Sequence, residues 1–592
     1  MREVTNEKTN EKKKKKKSVI EQYTCSMSIK LQLPSNCWEV GSWAIVEVDK
    51  KNYITSSDIE DNEPKIDSLI TTIIALSRSA TTAMLWINDY NLVIGYIKKA
   101  LDRHKFHESS CEKLLRNHRI QLGYCNYEGY SLKIKTEFDD EEPHYIVVAP
   151  LVNLTRHKLS EASSAFLKGD EVVEFNKKPL LIDNIESETF QYDNNEEVAK
   201  QAFAMAYIVS ALKQSKIFNI NCQNLTLAKI ALQQWEKFDT TGITKEIKKL
   251  EIDNENINET EMTTAEELRQ AYRGGLLWLN PYYEGVDIDY GLVLDINSFY
   301  SWVMRYCELP VSRPKEDAFP NESWKYMLHY YIGGFIFKNI QLKEDGIPCL
   351  YNDADELIDG CELLCSGWYT NFDISAIMKN YNIEEKDIYC FKLYTFETRS
   401  GVFNEYIDYF YELKKNSTGT EREIVKLFLE SLYGRFGVLK ASRFQYLPMS
   451  VFITSIARYI IMMEANKVGI DRIVQIDTDG LHIYGLEIPE DIDIGPDLGQ
   501  FKIEDVFKEA RYIAKRSYCH KSVTISDRYN RNFTITGEGK TIFKLCRAQD
   551  EVKSEMTWEN FRPGFESEAY KVVKVDRCGN KYRAYTKFKI RN

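Results

Sequence analysis

What the chain lacks narrows its class first. No apolar run reaches the roughly 18 residues that a membrane span needs, so no membrane partner is expected. The N-terminus has no apolar core of a secretory signal. Thirteen cysteines are an odd count for a large chain, and the closest pair, Cys361 and Cys365, is followed by no Cys/His cluster with zinc-like spacing. That usage predicts reduced, structural thiols and a cytosolic setting. No repeat of about 20–50 residues is visible, which argues against solenoids and propellers. An overall positive charge is missing too, since the net charge is −11.

What is present is a chain of 592 residues, 43 % hydrophobic and 12 % aromatic. Such a length suits roughly three to five domains with sizeable cores. Its charge is unevenly spread. Residues 511–592 hold 19 Lys and Arg against 9 Asp and Glu, so the remainder is strongly acidic. A basic C-terminal surface on an acidic body permits local phosphate binding; a merely solvated basic domain is the plain alternative.

Residues 1–24, with a short Asn-Glu-Lys repeat and six consecutive lysines, predict a disordered tail. Residues 25–235 read as mixed α/β, with strands at SWAIVEV and HYIVVAPLV and a buried helix at EEVAKQAFAMAYIVSALKQ. An acidic, Asn/Thr-rich linker covers 236–271 and ends in a capped helix. GLVLDINSFY reads as a strand, and 311–395 as an inserted module of short strands and turns. Residues 402–436 predict a helix pair broken at KKNSTGT, and 449–467 a further helix. The last 70 or so residues look β-rich, with turns at SDRYNRN and DRCGN.

Carboxylates then draw attention. In IVQIDTDGLHIYG, Asp477 and Asp479 stand two apart between apolar runs. Asp-Gly between such runs is a hairpin signal whatever the function, so a solvated hairpin tip and half of a metal site are both open. Asp295 ends an apolar strand in LDINSFY and supplies a third carboxylate. Two Mg²⁺ ions held by such oxygen ligands serve phosphoryl transfer. In KLFLESLYGRFG, Lys426 and Tyr433 are seven apart and share a helix face, with Arg422 one turn before. Cations ending in an aromatic suit a nucleoside triphosphate; a solvated basic helix edge is the alternative.

Taken in order, these stretches resemble the protein-primed family B DNA polymerases of bacteriophages and linear plasmids. DINSFYS resembles their D-x-x-S-L-Y-P, KLFLESLYG their K-x-x-x-N-S-x-Y-G, and DTDG their D-T-D-S. YRGG at 272–275 resembles their Y-x-G-G link, RSY at 516–518 their K-x-Y, and KTIFKLCRAQDEVKSEMTWENFRPGF their thumb region. The resemblance implies an RNase H-like exonuclease-type domain followed by a right-hand polymerase, an α/β and α+β multidomain chain. It implies an exonuclease-like domain at 25–235, palm at 272–310 and 448–522, fingers at 396–447 and thumb at 523–592. Residues 311–395 resemble the module that holds a terminal protein, whose hydroxyl is the primer.

The same resemblance implies roles. Asp295 and Asp477 pair as metal ligands with Asp479 in support and the Ile296 carbonyl nearby, for two Mg²⁺ with Mn²⁺ as a substitute. Tyr300 is the steric gate against a ribose 2′-hydroxyl. Lys414, Arg422 and Lys426 hold the triphosphate of the dNTP, and Tyr433 packs on the incoming nucleotide. Tyr272, Arg273, Gly274 and Gly275 face the DNA template and primer. Arg516 and Tyr518 steady the primer end, and Lys544 contacts DNA.

Departures carry their own expectations. The nuclease acids are replaced: Ser26 and Ser28 in YTCSMSI, Leu92 after Asn88 (with Asp89 close by), and Lys200 and Ala204 in KQAFAMAYIVSAL. Serine, leucine and alanine lack the carboxylate that anchors Mg²⁺, so no 3′–5′ proofreading is expected. Only ten residues separate Phe436 from Leu447, which predicts weak strand displacement. Glu430 stands where the family has Asn, Ser301 replaces Pro and Gly480 replaces Ser. The expected activity is a DNA-directed, protein-primed DNA polymerase of a phage or mobile element, acting in a bacterial cytoplasm. A template-relaxed nucleotidyltransferase in an anti-phage role, and a non-catalytic nucleic-acid scaffold, are the alternatives.

Overall fold

The computed structural model describes residues 22–32, 39–47, 53–55, 72, 82–88, 120–127, 131–138, 144–155, 159–167, 171–175, 178–182, 195–214, 226–250, 263–326, 329–437, 446–546, 548, 552–553, 555–575 and 581–590. Two compact units emerge: residues 1–230 with 417–427 and 572–584, and residues 231–416 with 428–571 and 585–592.

The first unit is a seven-stranded sheet in the order β3-β2-β1-β4-β7-β6-β5. Its strands are β1 (Gln22–Gln32), β2 (Glu39–Glu47), β3 (Tyr53–Thr55), β4 (Thr82–Ile87), β5 (Ile120–Tyr127), β6 (Ser131–Phe138) and β7 (His144–Pro150). β1 runs parallel to β4 and β4 parallel to β7, while the outer pairings are antiparallel. Strands β4 and β7 are buried along almost their whole length, as a parallel pair covered on both faces must be. Helix α1 (Asn195–Gln214) packs on β1 and β2, and its Val198, Ala202, Phe203 and Met205 are buried. The expected tail is three residues too long, since Gln22–Thr24 already pair with Thr82–Met84 in β1.

The second unit opens with α2 (Thr264–Gln270). Thr263 caps it, accepting from the Glu266 N–H while Glu266 accepts from the Thr263 N–H, as the sequence predicts. A second seven-stranded sheet follows, in the order β8-β13-β14-β9-β15-β16-β17. Its early strands are β8 (Leu277–Leu279) and β9 (Asp287–Ile296). The strand predicted to run to Tyr300 stops at Ile296. Ser298 takes a left-handed conformation, φ 49°, and starts helix α3 (Phe299–Tyr306).

The inserted stretch is more regular than its sequence suggests. β10 (Tyr330–Leu342), β11 (Gly360–Thr370) and β12 (Ile388–Phe396) build one antiparallel sheet, with α4 (Asn371–Asn380) between the last two. Glycines 333, 334 and 367 obscure the strand pattern, yet each lies where a Cβ would strike a neighbouring ring or aliphatic side chain. The helix pair is α5 (Asn404–Asn416) and α6 (Gly419–Phe436), and α7 (Leu447–Val468) follows. The remaining sheet strands are β13 (Ile473–Asp477), β14 (Gly480–Tyr484), β15 (Phe501–Ala514), β16 (Ser517–Ile525) and β17 (Ile535–Lys544). The sheet therefore continues to Lys544, past the thumb boundary expected at 523. The turn expected at DRCGN lies outside the described residues.

Helix α7 is long and apolar enough to cross a membrane by length and composition, but most of it is buried inside the protein. A helix apolar all round is what a core position demands. Its interior carries one cation, Arg458, which is almost fully buried. The guanidinium donates to Asp373 on α4 at 2.8 Å and to the carbonyls of Arg273 and Gly274 at 3.0 and 2.9 Å. Removing one partner of a buried pair leaves an uncompensated charge. Arg458→Met is therefore expected to lower the unfolding free energy by about 3–5 kcal/mol, read from urea denaturation; a loss below about 1 kcal/mol would contradict this role for the pair.

Candidate active site

Three adjacent strands position the carboxylates. In the β9–β14 ladder Asp295 stands opposite Gly480, and in the β13–β14 ladder Asp477 stands opposite the same Gly480. Directly opposed residues share a face, so both acids flank one glycine on one side of the sheet. The outer strands are about 9–10 Å apart, and nothing projects from Gly480 to fill the gap. A Cβ there would lie 3.3 Å from the Leu294 carbonyl oxygen and 3.6 Å from that of Asp477.

The tight turn falls on Thr478 and Asp479, one residue earlier than the Asp-Gly signal suggests. Thr478 has φ 65°, and its N–H donates to the Leu276 carbonyl at 2.8 Å. Asp479 is tied to β9 because its carbonyl accepts the Ile296 N–H at 2.9 Å. Burial, with the charge of Asp295 close by, pushes the Asp479 carboxyl up to about 7. Ser298, Thr478 and Arg516 all have positive φ, costing about 1–2 kcal/mol each for a residue with a Cβ. Such conformations gather at functional sites.

Two cations already meet the acids. Arg516, in the β15–β16 turn, donates from Nε to Asp477 Oδ1 at 2.7 Å and from Nη2 to Thr478 Oγ1 at 3.0 Å. Lys502 on β15 sits 2.8 Å from Asp295 Oδ1. The donor set is all oxygen, which fits a hard divalent cation. Among the described residues no three His, Cys, Asp or Glu side chains close into a protein-only cage.

Next to the acids, the rings of Tyr300 and Tyr433 stack with centroids 4.3 Å apart and planes 25° apart. The end of α6 that carries Tyr433 is fastened to this unit. Ser301 donates to the Leu429 carbonyl at 3.2 Å, Tyr406 to that of Phe428 at 3.0 Å, and Ser450 to that of Tyr433 at 2.6 Å. Lys414 donates to Ser298 Oγ at 2.9 Å. Along α6, Arg422, Lys426 and Glu430 are exposed.

The YRGG segment lies against this site. A Cβ on Gly275 would fall 2.6 Å from the Thr478 methyl, whereas Gly274 has open space around it. The ring of Tyr272 packs on Gly437. Arg273 points into the inserted module: it bonds the Trp368 carbonyl at 2.7 Å, pairs with Asp355 at 3.0 Å, and covers the rings of Tyr351 and Tyr369. Tyr518 is only 5 % exposed and packs with His482, Tyr512 and His520. Lys544 stands opposite Tyr518 on β17 and is exposed. In the first unit Ser26 and Ser28 lie on β1 and Ala204 is fully buried in α1. Asn88 follows β4, Lys200 is half-buried on α1, and Leu92 lies outside the described residues.

The fold places the chain in a class. Phi29 DNA polymerase complexed with primer-template DNA matches with a TM-score of 0.73 at 21 % identity, over 96 % of this chain and 99 % of that one. The single-stranded DNA complex of the same polymerase gives 0.73 at 22 % over 96 % and 100 %. The architecture is that of an exonuclease-type domain followed by a right-hand polymerase with palm, fingers and thumb. The family model for DNA polymerase type B, organellar and viral, matches residues 101–441. The chain belongs to that family. The DNA polymerase of Bacillus phage B103 is 30 % identical over 358 residues, covering 51 % of this chain and 58 % of that protein. That of Bacillus phage phi29 is 30 % identical over 348 residues, covering 50 % and 57 %. A probable DNA polymerase of Podospora anserina is 22 % identical over 362 residues, covering 48 % and 29 %. The chain thus spans a little over half the length of the phage relatives it matches.

Two outcomes follow from this packing. Gly275→Ala is expected to cost about 1–3 kcal/mol and Gly274→Ala less than about 0.5, read as thermal shifts; equal effects would remove the Gly275–Thr478 contact from the account. Burial lowers the His482 pKa from 6.5 to about 3. Between those values the unfolded chain binds a proton that the folded chain does not, so stability drops as pH falls. The slope from this group is about 1.36 kcal/mol per pH unit. His482→Asn should flatten that acid limb, and an unchanged pH profile would contradict it.

Proposed function

We propose that this chain is a DNA-directed DNA polymerase that adds deoxynucleotides to a 3′-hydroxyl, primed by a terminal protein. The observation that carries the reading is the pair Asp295 and Asp477 on one sheet face either side of Gly480, beside the Tyr300–Tyr433 stack. In this reading Asp295 and Asp477, with Asp479 and the Ile296 carbonyl, hold two Mg²⁺. When bound, Mg²⁺ activates the attacking hydroxyl and neutralises charge on the leaving pyrophosphate.

The chain's own residues then do the rest. Tyr300 closes the space beside C2′ of the sugar and so selects deoxynucleotides, and Tyr433 packs on the nucleotide. Lys414, Arg422 and Lys426 neutralise the triphosphate. Arg516, already beside Asp477, and Tyr518 beneath it steady the primer end, and Lys544 meets the DNA backbone. Arg273 acts through the inserted module, which holds the terminal protein, more than through DNA. The enzyme works in the host cytoplasm of a phage or mobile element. Relatives named as DNA polymerases favour template-directed synthesis over a template-relaxed reaction.

The first unit keeps a nuclease-like sheet without proofreading chemistry. Support comes from neutral serines on strand β1 and from the buried Ala204, none of which supplies a carboxylate for Mg²⁺. Template-directed primer extension tests the whole reading. Wild type should extend, Asp477→Ala should lose about 10³-fold or more, and Tyr300→Val should admit ribonucleotides. Retained synthesis in Asp477→Ala would overturn the site. Degradation of a labelled single strand that survives Asp477→Ala would overturn the proofreading loss.

A further inference from the structure

Lys502 is a cation that none of the motifs explains. It lies on β15 directly opposite Asp295 on β9. Its ammonium is 2.8 Å from Asp295 Oδ1 and 3.1 Å from Glu504 Oε2. Glu504 follows two residues along the same strand, so it shares that face. Lys502 and Asp295 are 23 % and 26 % exposed, while Glu504 is 51 % exposed. The ammonium therefore bridges a sheltered carboxylate and a solvated one. Arg516 stands against Asp477 in the same way on the far side of Gly480.

We propose that Lys502 is a positioning residue that neutralises Asp295 when no divalent cation is bound and transfers to Glu504 when one binds. The proposal rests on the reading of Asp295 as a metal ligand. Lysine suits the task because its charge is compact and its four-carbon stem flexible. An ammonium that stayed on Asp295 would compete with a cation for the same oxygen. A second carboxylate within reach lets it yield without being left unpaired, which a buried or half-buried charge resists. Lys502 thus weakens cation binding, and Glu504 limits that penalty by acting through Lys502. A purely structural cross-strand pair would stabilise the sheet and leave cation affinity unmoved.

The test is Mn²⁺ binding to the full chain without nucleotide, followed by the electron paramagnetic resonance signal of free Mn²⁺. Lys502→Met should bind Mn²⁺ about three- to tenfold more tightly. Lys502→Arg, which keeps the charge and controls for folding, should stay closer to wild type. Glu504→Gln should bind about threefold more weakly, and this loss should vanish when Lys502→Met is also present. Unchanged or weaker binding in Lys502→Met overturns the proposal, as does an equal Glu504→Gln effect in both backgrounds. Asp295→Asn separates the two levels. If it leaves Mn²⁺ binding intact, the ligand assignment falls and this proposal with it. If it abolishes binding while Lys502→Met changes nothing, this proposal alone falls.

Discussion

The register of three strands about Gly480 is the constraint on which the site depends. Asp295 and Asp477 come from positions 182 residues apart in the chain, and only the shared partner on β14 brings them to one face. A slip of one residue would turn either acid to the other side of the sheet. The apolar row on that other side prevents it. Trp278, Ile476, Leu481, Leu294 and Ile503 follow one another across five strands, and all are buried. At about 25 cal/mol per Å² of apolar surface, exposing such a row outweighs any gain from an alternative pairing. The hydrophobic ladder therefore fixes the polar one.

Around that register the structure is interlocked through short contacts. Gly275 lets the YRGG segment lie against Thr478, at the tip of the acid hairpin. Arg458 takes the carbonyls of the two preceding residues and the Asp373 carboxylate, so the buried helix α7, the link and the inserted module share one guanidinium. Arg273 then reaches onward to Trp368 and the rings of Tyr351 and Tyr369. The inserted sheet and the acid hairpin are thus coupled by side chains that make bidentate or stacked contacts, for which lysine is no substitute.

Much of this was legible in the chain. Strand ends and helix periodicity were enough to single out Asp295, Asp477 and Tyr433 and to predict α5, α6 and α7, whereas Tyr300 was singled out only through the family resemblance. Helix and hairpin signals are local, and local signals survive without partners. The rest was hidden for physical reasons. Lys502 meets Asp295 through a strand pairing, which no local pattern encodes. Gly480 looked like a turn residue, but it is a strand residue between the two acids, and the turn moved back to Thr478 and Asp479. Glycines blurred β10 and β11. Arg458 left a signal that a closer reading can use: a lone arginine within an apolar helix needs a buried partner.

The central claim is that the acid pair flanking Gly480 is a divalent-cation site of nucleotidyl transfer. The most direct measurement is an anomalous difference map from crystals grown with Mn²⁺, primer-template DNA and a non-hydrolysable deoxynucleoside triphosphate. The account predicts density between Asp295 and Asp477, beside Gly480, with the triphosphate against it and the sugar packed on Tyr300. Density elsewhere, or a triphosphate bound away from these acids, would contradict it.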